Sequence, residues 1–276
     1  RRMRSGRNRS TFVSILWPRA FRMLCTATEM VQESAFPPAL DTTRHAVFLD
    51  FDGTLVELVD DPQAVAMQPA AQRELAGLAR KLDGALAVVS GRRIADLDRF
   101  LSPDRFAAAG VHGLERRRSP DGAVEMLAGP ETLDPVRDAI ASAVESARRL
   151  HLEDKDTALV LHYRTAPDLQ DLAERIMAQA TEGRDDLVVM HGDCIVEVHP
   201  AGMDKGKAVA AMMEDAPFAG RIPVYVGDDT TDEFALRHVR NQGGVSIKVG
   251  GAEKTSVAEF RLPDIAAVHA WIAAAS

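Results

Sequence analysis

The sequence predicts an α/β fold with a Rossmann-like parallel-sheet core that is interrupted by an inserted α+β cap domain. Short apolar runs alternate with helical patterns over residues 40–112 and 200–276. Alternation of strand and helix along a chain is typical of a parallel sheet. Residues 113–199 have a different pattern, with helices and hairpin strands, and we expect them to form the cap. Residues 1–39 differ in composition from the rest, and we expect a disordered tail there.

Local patterns predict the individual elements in chain order. An apolar run that ends at Asp50 is typical of a buried strand, and the leucine spacing after residue 69 is typical of a helix. The predicted core strands are 46–49, 85–89, 106–111, 223–226 and 244–249, and the core helices are 69–82, 94–101, 206–213 and 232–239. In the cap, the predicted helices are 134–150 and 169–180, the alternating segment is 152–164, and strands 187–190 and 194–199 flank a turn.

Composition excludes several classes of protein. The 276 residues, 46% of them hydrophobic, are enough for two compact domains. The formal net charge is −8 although the first forty residues are rich in arginine, so nucleic acid is not expected as a partner. No apolar run is long enough to span a membrane. Cys25 and Cys194 suit neither a disulfide framework nor a zinc site, and we expect a cytoplasmic protein. The oligomeric state stays open.

Acidic residues follow two of the predicted core strands. Asp50 and Asp52 come directly after the first strand, and Asp228 and Asp229 come after a later one. Ligands of open parallel sheets bind beyond the carboxyl ends of the strands, so these carboxylates are expected to meet. Their mutual repulsion is unfavourable unless a cation or a proton is present, and clustered oxygen ligands favour Mg²⁺. The sequence therefore predicts a magnesium site formed by these four residues.

The same edge of the sheet predicts chemistry at phosphorus. Asp50 is placed to attack a phosphoryl group and form an aspartyl phosphate. Asp52 is placed to protonate the leaving oxygen and then to activate the hydrolytic water. Gly53 permits the backbone to approach phosphate oxygens closely. A second predicted strand ends at this edge in Ser90-Gly91-Arg92. Ser90 is expected either to bind phosphate or to cap the N-terminus of the following helix, and it could do both.

Four segments together resemble the motifs of the haloacid dehalogenase superfamily of phosphatases. Residues 47–55 resemble its first motif, which contains the aspartate nucleophile. The resemblance implies that Ser90 bonds to the phosphate and that Lys205 neutralises the phosphoryl oxygens and orders the nucleophile. It also implies that Asp228 and Asp229 complete the Mg²⁺ site.

A closer resemblance covers most of residues 44–255 and is to the trehalose-6-phosphate phosphatase family. It rests on segments 110–113, 152–155, 161–164, 196–198 and 227–233. The resemblance implies trehalose 6-phosphate as the substrate, with Glu153, Lys155 and Glu197 of the cap holding the sugar hydroxyls. The candidate substrate-binding residues are then Gly53, Arg92, His112, Gly113, Glu153, Lys155, Arg164 and Glu197.

Strand periodicity gives a separate reason to examine the cap residues. Glu153 and Lys155 share a face if their segment is extended, and Glu197 shares a face with Ile195 and His199. Charged groups make strong hydrogen bonds to hydroxyls, so such a face suits a disaccharide. The alternative is a salt-bridge cluster on a solvated sheet face.

Several alternatives stay open. His199 precedes a proline at a position where the resemblance leads us to expect arginine, and residues 201–204 correspond to a segment that varies within the family. Asp232 is either a first-turn acid favoured by the helix dipole or an outer neighbour of the metal. The core motifs do not separate trehalose 6-phosphate from sucrose phosphate or mannosylglycerate phosphate. A sugar phosphomutase and a phosphoaspartate receiver domain are further alternatives, although a receiver needs neither Asp52 nor a cap.

Overall fold

The computed structural model describes residues 36–276 apart from 60, 62 and 193. Its strands are β1 (His45–Leu49), β2 (Leu86–Val89), β3 (Ala107–Gly110), β4 (Glu115–Arg117), β5 (Glu125–Met126), β6 (His151–Asp154), β7 (Leu159–His162), β8 (Leu187–Gly192), β9 (Ile195–Pro200), β10 (Ile222–Gly227), β11 (Val245–Val249) and β12 (Phe260–Leu262). Its α-helices are α1 (Pro69–Lys81), α2 (Ile94–Phe100), α3 (Asp134–Glu145), α4 (Gln170–Ala180), α5 (Lys205–Met212), α6 (Glu233–Asn241) and α7 (Ile265–Ala273).

The larger sheet has the strand order β12-β11-β10-β1-β2-β3-β4-β5. The six strands from β12 to β3 pair in parallel. Strand β1 lies near the middle, and residues 46–49 within it are fully buried, as expected for a strand covered on both faces. The predicted fold class, a parallel α/β core with an α+β insertion, is confirmed.

The smaller sheet is antiparallel, with the order β6-β7-β9-β8. With α3 and α4 it forms the region that we call the cap, residues 134–200. One face of this sheet, including Leu161 and Val198, packs against Ile140 of α3 and Ile176 of α4 in a hydrophobic cluster separate from that of the large sheet. Because side chains alternate along a strand, the intervening residues face the other way.

Strands β4 and β5 differ from the prediction, which assigned residues 113–199 to the cap. Both pair antiparallel at the edge of the core sheet. The chain reverses at Val111 and His112, whose φ angles are 46° and 54°, a conformation that sequence patterns do not indicate at valine. Strand β4 buries the charged residues Glu115 and Arg117, so it lacks the apolar alternation that would have revealed it.

Of the predicted tail, residues 1–39, positions 1–35 lie outside the described residues. Positions 36–39 are described, and the Pro38 carbonyl accepts a hydrogen bond from Trp271 Nε1 at 3.0 Å. The beginning of the described chain is therefore attached to α7. Across the described residues, none of the helices combines the length and the apolar character needed to cross a membrane.

Candidate active site

Three buried polar residues meet where neighbouring core strands end. Asp50 follows β1, Ser90 follows β2 and Asp228 follows β10. Strand β1 pairs in parallel with both of the others, so the three carboxyl ends lie side by side. The edge of the sheet thus collects the residues that the sequence predicted there.

Lys205 is the centre of a buried ion cluster at this edge. Its Nζ atom donates to Asp50 Oδ1 at 2.8 Å and to Asp232 Oδ1 at 2.7 Å. Asp204 caps α5 by accepting a hydrogen bond from the Lys207 backbone N–H, which fixes Lys205 in the first helical turn. The start of α5 therefore sets the position of the Lys205 side chain.

Asp232 is held in place by three hydrogen bonds. Besides Lys205, its Oδ1 accepts from the Tyr225 hydroxyl at 2.6 Å, and its Oδ2 accepts from the Asp229 backbone N–H at 2.9 Å. Of the two alternatives for Asp232, the structure favours a residue near the metal site over an exposed first-turn acid. Its carboxylate holds Lys205 and the loop after β10 in place.

Burial and neighbouring charge shift the pKa values of Asp50 and Asp232, the two carboxylates that share Lys205, in opposite directions. Burial raises the pKa of Asp50 well above its ordinary range, and the charge of Asp232 adds to this. Burial would also raise the pKa of Asp232, but Lys205 and the hydrogen bonds it accepts lower that pKa. Burial would lower the pKa of Lys205, yet the two carboxylates raise it. Asp50 is therefore the more basic carboxylate beside a charged lysine.

Asp228 contributes a buried carboxylate oxygen beside Asp50 and Asp232. Its Oδ1 atom has no hydrogen bond to any of the described residues. Burial, and then the charge of Asp232, raise the pKa of Asp228 to about 6. A Cβ atom on Gly53, whose φ is 76°, would collide with the Asp228 carboxylate, so only glycine fits this loop.

The carboxylates that lie together in the structure overlap only in part with the predicted metal ligands. Asp50, Asp228 and Asp232 offer oxygen atoms that lie within 4.8 Å of one another. The side chains of Asp52 and Asp229 are not in this group, because Asp52 pairs with an arginine and Asp229 Oδ1 accepts from the Thr230 N–H at 2.6 Å. Hard oxygen donors and the unpartnered atom of Asp228 fit a divalent cation such as Mg²⁺.

Asp52 is held in a two-point ion pair with Arg92. Arg92 Nε donates to Asp52 Oδ2 at 2.6 Å, and Nη2 donates to Oδ1 at 2.7 Å. Ser90 Oγ accepts from the Arg92 backbone N–H at 3.1 Å and is otherwise buried at the end of β2. The two strand-end segments are thus joined through an arginine that fixes the orientation of the Asp52 carboxylate.

The cap presents a charged face to this edge of the core. The register pairs Glu153 and Glu197 with Val160, and Met190 with Glu197, so these four side chains lie on one face of the cap sheet. Lys155 Nζ lies 3.4 Å from Glu197 Oε2 and donates to the Gly91 carbonyl of the core at 3.0 Å. Glu153 Oε2 is occupied by His162 Nε2 at 2.8 Å.

His112 completes the cluster from the core side. Its Nε2 atom lies 3.4 Å from Glu197 Oε1, and its Nδ1 atom is buried with no hydrogen bond to the described residues. The ring stacks on His199 with centroids 5.8 Å apart, so the expected arginine is replaced by an aromatic neighbour. Both histidines line a cavity of about 240 Å³ between cap and core, which Lys205, Met203 and Phe234 also line.

Gly113 and Arg164 were also predicted to bind substrate. Gly113 packs against α5, where a Cβ atom would lie 2.8 Å from that of Ala208. Arg164 follows the end of β7, and its role in binding stays a prediction.

Sequence reasoning missed Tyr225 and Glu115. Tyr225 supports Asp232 from within β10, and Glu115 Oε2 accepts from the Ile94 N–H at the start of α2 at 2.7 Å. A tyrosine in an otherwise aliphatic strand was the available signal for the first. The second had none, because its partner is a backbone group 21 residues away.

A phosphatase of the haloalkanoate (HAD) enzyme superfamily from Bacteroides thetaiotaomicron has the same fold as this chain, with a TM-score of 0.56 at 13% identity, covering 86% of this chain and 96% of that one. The family model for trehalose-phosphatase matches residues 48–266. The chain belongs to the trehalose-phosphatase family.

Individual relatives agree with this membership. The chain is 40% identical to a probable trehalose-phosphate phosphatase of Sinorhizobium fredii, over 91% of this chain and 96% of that one. It is 37% identical to the trehalose-6-phosphate phosphatase of Escherichia coli, over 84% and 86%. The trehalose-6-phosphate phosphatase C-terminal domain of C. albicans has a TM-score of 0.73 at 24% identity, covering 87% of this chain and 98% of that one, which shows the shared fold.

Proposed function

We propose that this chain hydrolyses trehalose 6-phosphate to trehalose and phosphate through an aspartyl phosphate on Asp50. The observation that carries the proposal is the buried Asp50 carboxylate, 2.8 Å from Lys205, which itself lines the cavity between core and cap. Family membership supports the choice of sugar, since the relatives named above are trehalose-phosphate phosphatases.

Asp50 acts as the nucleophile. Its carboxylate attacks phosphorus in line with the bond to the sugar 6-oxygen, which breaks as the Asp50–phosphorus bond forms. Lys205 and the Ser90 hydroxyl stabilise the negative charge on the phosphoryl oxygens. Asp50, Asp228 and Asp232 would hold a Mg²⁺ ion, which screens the phosphate charge from the carboxylates.

Asp52 moves the protons. It donates a proton to the departing sugar oxygen and then removes one from the water that hydrolyses the aspartyl phosphate. Both of its oxygens accept from Arg92 in this structure, so the pair opens at one oxygen when Asp52 carries the proton, and its partly exposed position lets that proton exchange with solvent. The phosphate leaves after the second step and Asp50 is regenerated.

The cap selects the sugar. Glu197 Oε1 and His112 Nδ1 are buried and lack hydrogen bonds to the described residues, so sugar hydroxyls would satisfy them. Lys155 and Glu153 lie in the same charged row. We further propose that core and cap act as two domains that meet across the substrate, divided as the sequence predicted except for strands β4 and β5.

A panel of sugar phosphates, assayed for phosphate release with Mg²⁺ and with excess chelator, tests the proposal. Trehalose 6-phosphate should be the best substrate, chelation should stop turnover, and Asp50→Asn should reduce it by about a thousandfold or more. Preference for sucrose phosphate or mannosylglycerate phosphate would redirect the substrate assignment. Full activity in chelator would refute the metal site, and an isomerised sugar phosphate without phosphate release would indicate a mutase.

A further inference from the structure

A salt bridge outside the catalytic cluster joins the cap to the core. Arg93, in the loop between β2 and α2, places Nη2 2.7 Å from Asp156 Oδ2 in the turn between β6 and β7. In the same turn, Lys155 Nζ donates to the Gly91 carbonyl of the same loop. One cap turn therefore makes two polar contacts with one core loop.

Each partner also has a neighbour within its own region. Arg93 Nε lies 3.5 Å from Glu115, the buried residue that accepts from the start of α2. The Asp156 backbone N–H donates to Asp154 Oδ1 at 2.8 Å, and its carbonyl accepts from Arg137 at 3.0 Å. The pair thus links a core loop to a cap turn whose backbone is already hydrogen-bonded.

We propose that Arg93 and Asp156 are positioning residues that hold the cap turn 154–157 against the core loop 90–94 when substrate is bound. The inference rests on the proposed function, because the loop carries Arg92, the partner of Asp52, and the turn carries Lys155, which faces the sugar. When the turn is docked, Lys155, which is proposed to bind the sugar, is held in a fixed position relative to Asp52, which is proposed to transfer the protons. A substrate with no sugar to contact the cap gains nothing from this docking.

The size of the effect follows from exposure. The side chains of Arg93 and Asp156 are 36% and 53% exposed, so solvent screens their attraction. A pair of this kind shifts an equilibrium by about fivefold at most, and 1 M salt removes most of that. We therefore expect a modest change concentrated in KM for sugar phosphates.

A double-mutant cycle tests the pair on the full-length enzyme. Arg93→Gln and Asp156→Asn should each lower kcat/KM for trehalose 6-phosphate by about threefold to fivefold, and the double variant should be no worse than either. Asparagine tolerates the left-handed backbone of position 156, whose φ is 64°. Asp168→Asn is the matched control, since it breaks an exposed pair with Arg149 inside the cap. Hydrolysis of a small aryl phosphate should not change in any variant.

A substrate-free measurement separates this inference from the proposed function. Hydrogen exchange of amides 155–158 should become several times faster in Arg93→Gln, a substitution in the core, and stay unchanged in Asp168→Asn. That result supports the pair whichever sugar phosphate is the substrate. Unchanged exchange in Arg93→Gln, or additive losses of kcat/KM in the double variant, would overturn it.

Discussion

The charged clusters on the two sides of the cleft are built differently. In the core, Lys205 contacts both of its carboxylates within 2.8 Å, and Asp232 accepts three hydrogen bonds. In the cap cluster, Glu197 is 3.4 Å from both Lys155 and His112, and its Oε1 has no hydrogen bond to the described residues. The core cluster is complete before substrate arrives and fixes the position of Asp50, the proposed nucleophile, whereas the cap cluster keeps capacity for a ligand.

The largest expected effect comes from removing the core cation. Lys205→Met leaves Asp50 and Asp232 buried together without a counter-charge, so the free energy of unfolding should fall by about 3–5 kcal/mol and turnover should be lost. Urea denaturation measures the first and phosphate release the second. Lys207→Met, at an exposed position of the same helix, is the control. A loss of stability as small as the control's would show that the core cluster is not the tighter of the two.

The loop that supports Asp228 gives the next effect. Gly53→Ala should weaken Mg²⁺ binding by about tenfold or more, because the added Cβ atom collides with the Asp228 carboxylate. Titration calorimetry measures the binding. Gly220→Ala is a matched control, since its φ of 77° is nearly the same but no atom lies within 4 Å of the added carbon. Equal Mg²⁺ affinity in both variants would mean that the collision is relieved elsewhere.

On the cap side, the effect should depend on the substrate. Glu197→Ala should lower kcat/KM for trehalose 6-phosphate by roughly tenfold, about 1.4 kcal/mol, because it removes charged hydrogen bonds to the sugar. The rate for a small aryl phosphate should change little, since the core cluster is untouched. Parallel steady-state assays of both substrates make the comparison. Equal loss of both activities would show that Glu197 serves cap folding and not recognition.

The same difference explains what the sequence could predict. Strand ends follow from apolar patterns, which are local, so Asp50, Ser90 and Asp228 were predicted to lie at one edge of the sheet. Periodicity placed Glu197 on a face with Ile195 and His199, but the face that it shares with Glu153 depends on strand pairing. The second carboxylate that contacts Lys205 was harder to predict. Asp232 is 27 residues away from Lys205 in the sequence and resembles an ordinary first-turn acid.

Contacts between regions lie beyond such patterns altogether. Arg93 and Asp156 are charged, partly exposed residues of a loop and a turn, and neither position has a repeating neighbour that marks it. Strand β4 was missed for a related reason. Its buried Glu115 and Arg117 are paired with groups far along the chain, so burial is set by tertiary partners and not by apolar alternation.

The smallest expected effect is the pH dependence of each cluster, and it has opposite signs on the two sides. Burial would raise the pKa of Glu197, but Lys155 and the His112 ring lower it below its ordinary 4.5. A carboxyl with a lowered pKa stabilises the fold above its unfolded pKa, about 4.3, and loses that contribution as the pH falls toward the folded value. Glu197→Gln should therefore reduce the free energy of unfolding more at pH 7 than at pH 4. Glu182→Gln, at an exposed cap position, is the control.

Asp50 should behave in the reverse way in metal-free buffer. Burial and Asp232 raise its pKa, so its charged form costs stability above the unfolded pKa, and the cost disappears as the group becomes protonated. Asp50→Asn should therefore be more favourable to stability at pH 7 than at pH 4. Urea denaturation of the two variants across this range compares the clusters directly. If both variants changed with pH in the same direction, the contrast between a core carboxylate that is destabilised by its own charge and a cap carboxylate that Lys155 stabilises would be wrong.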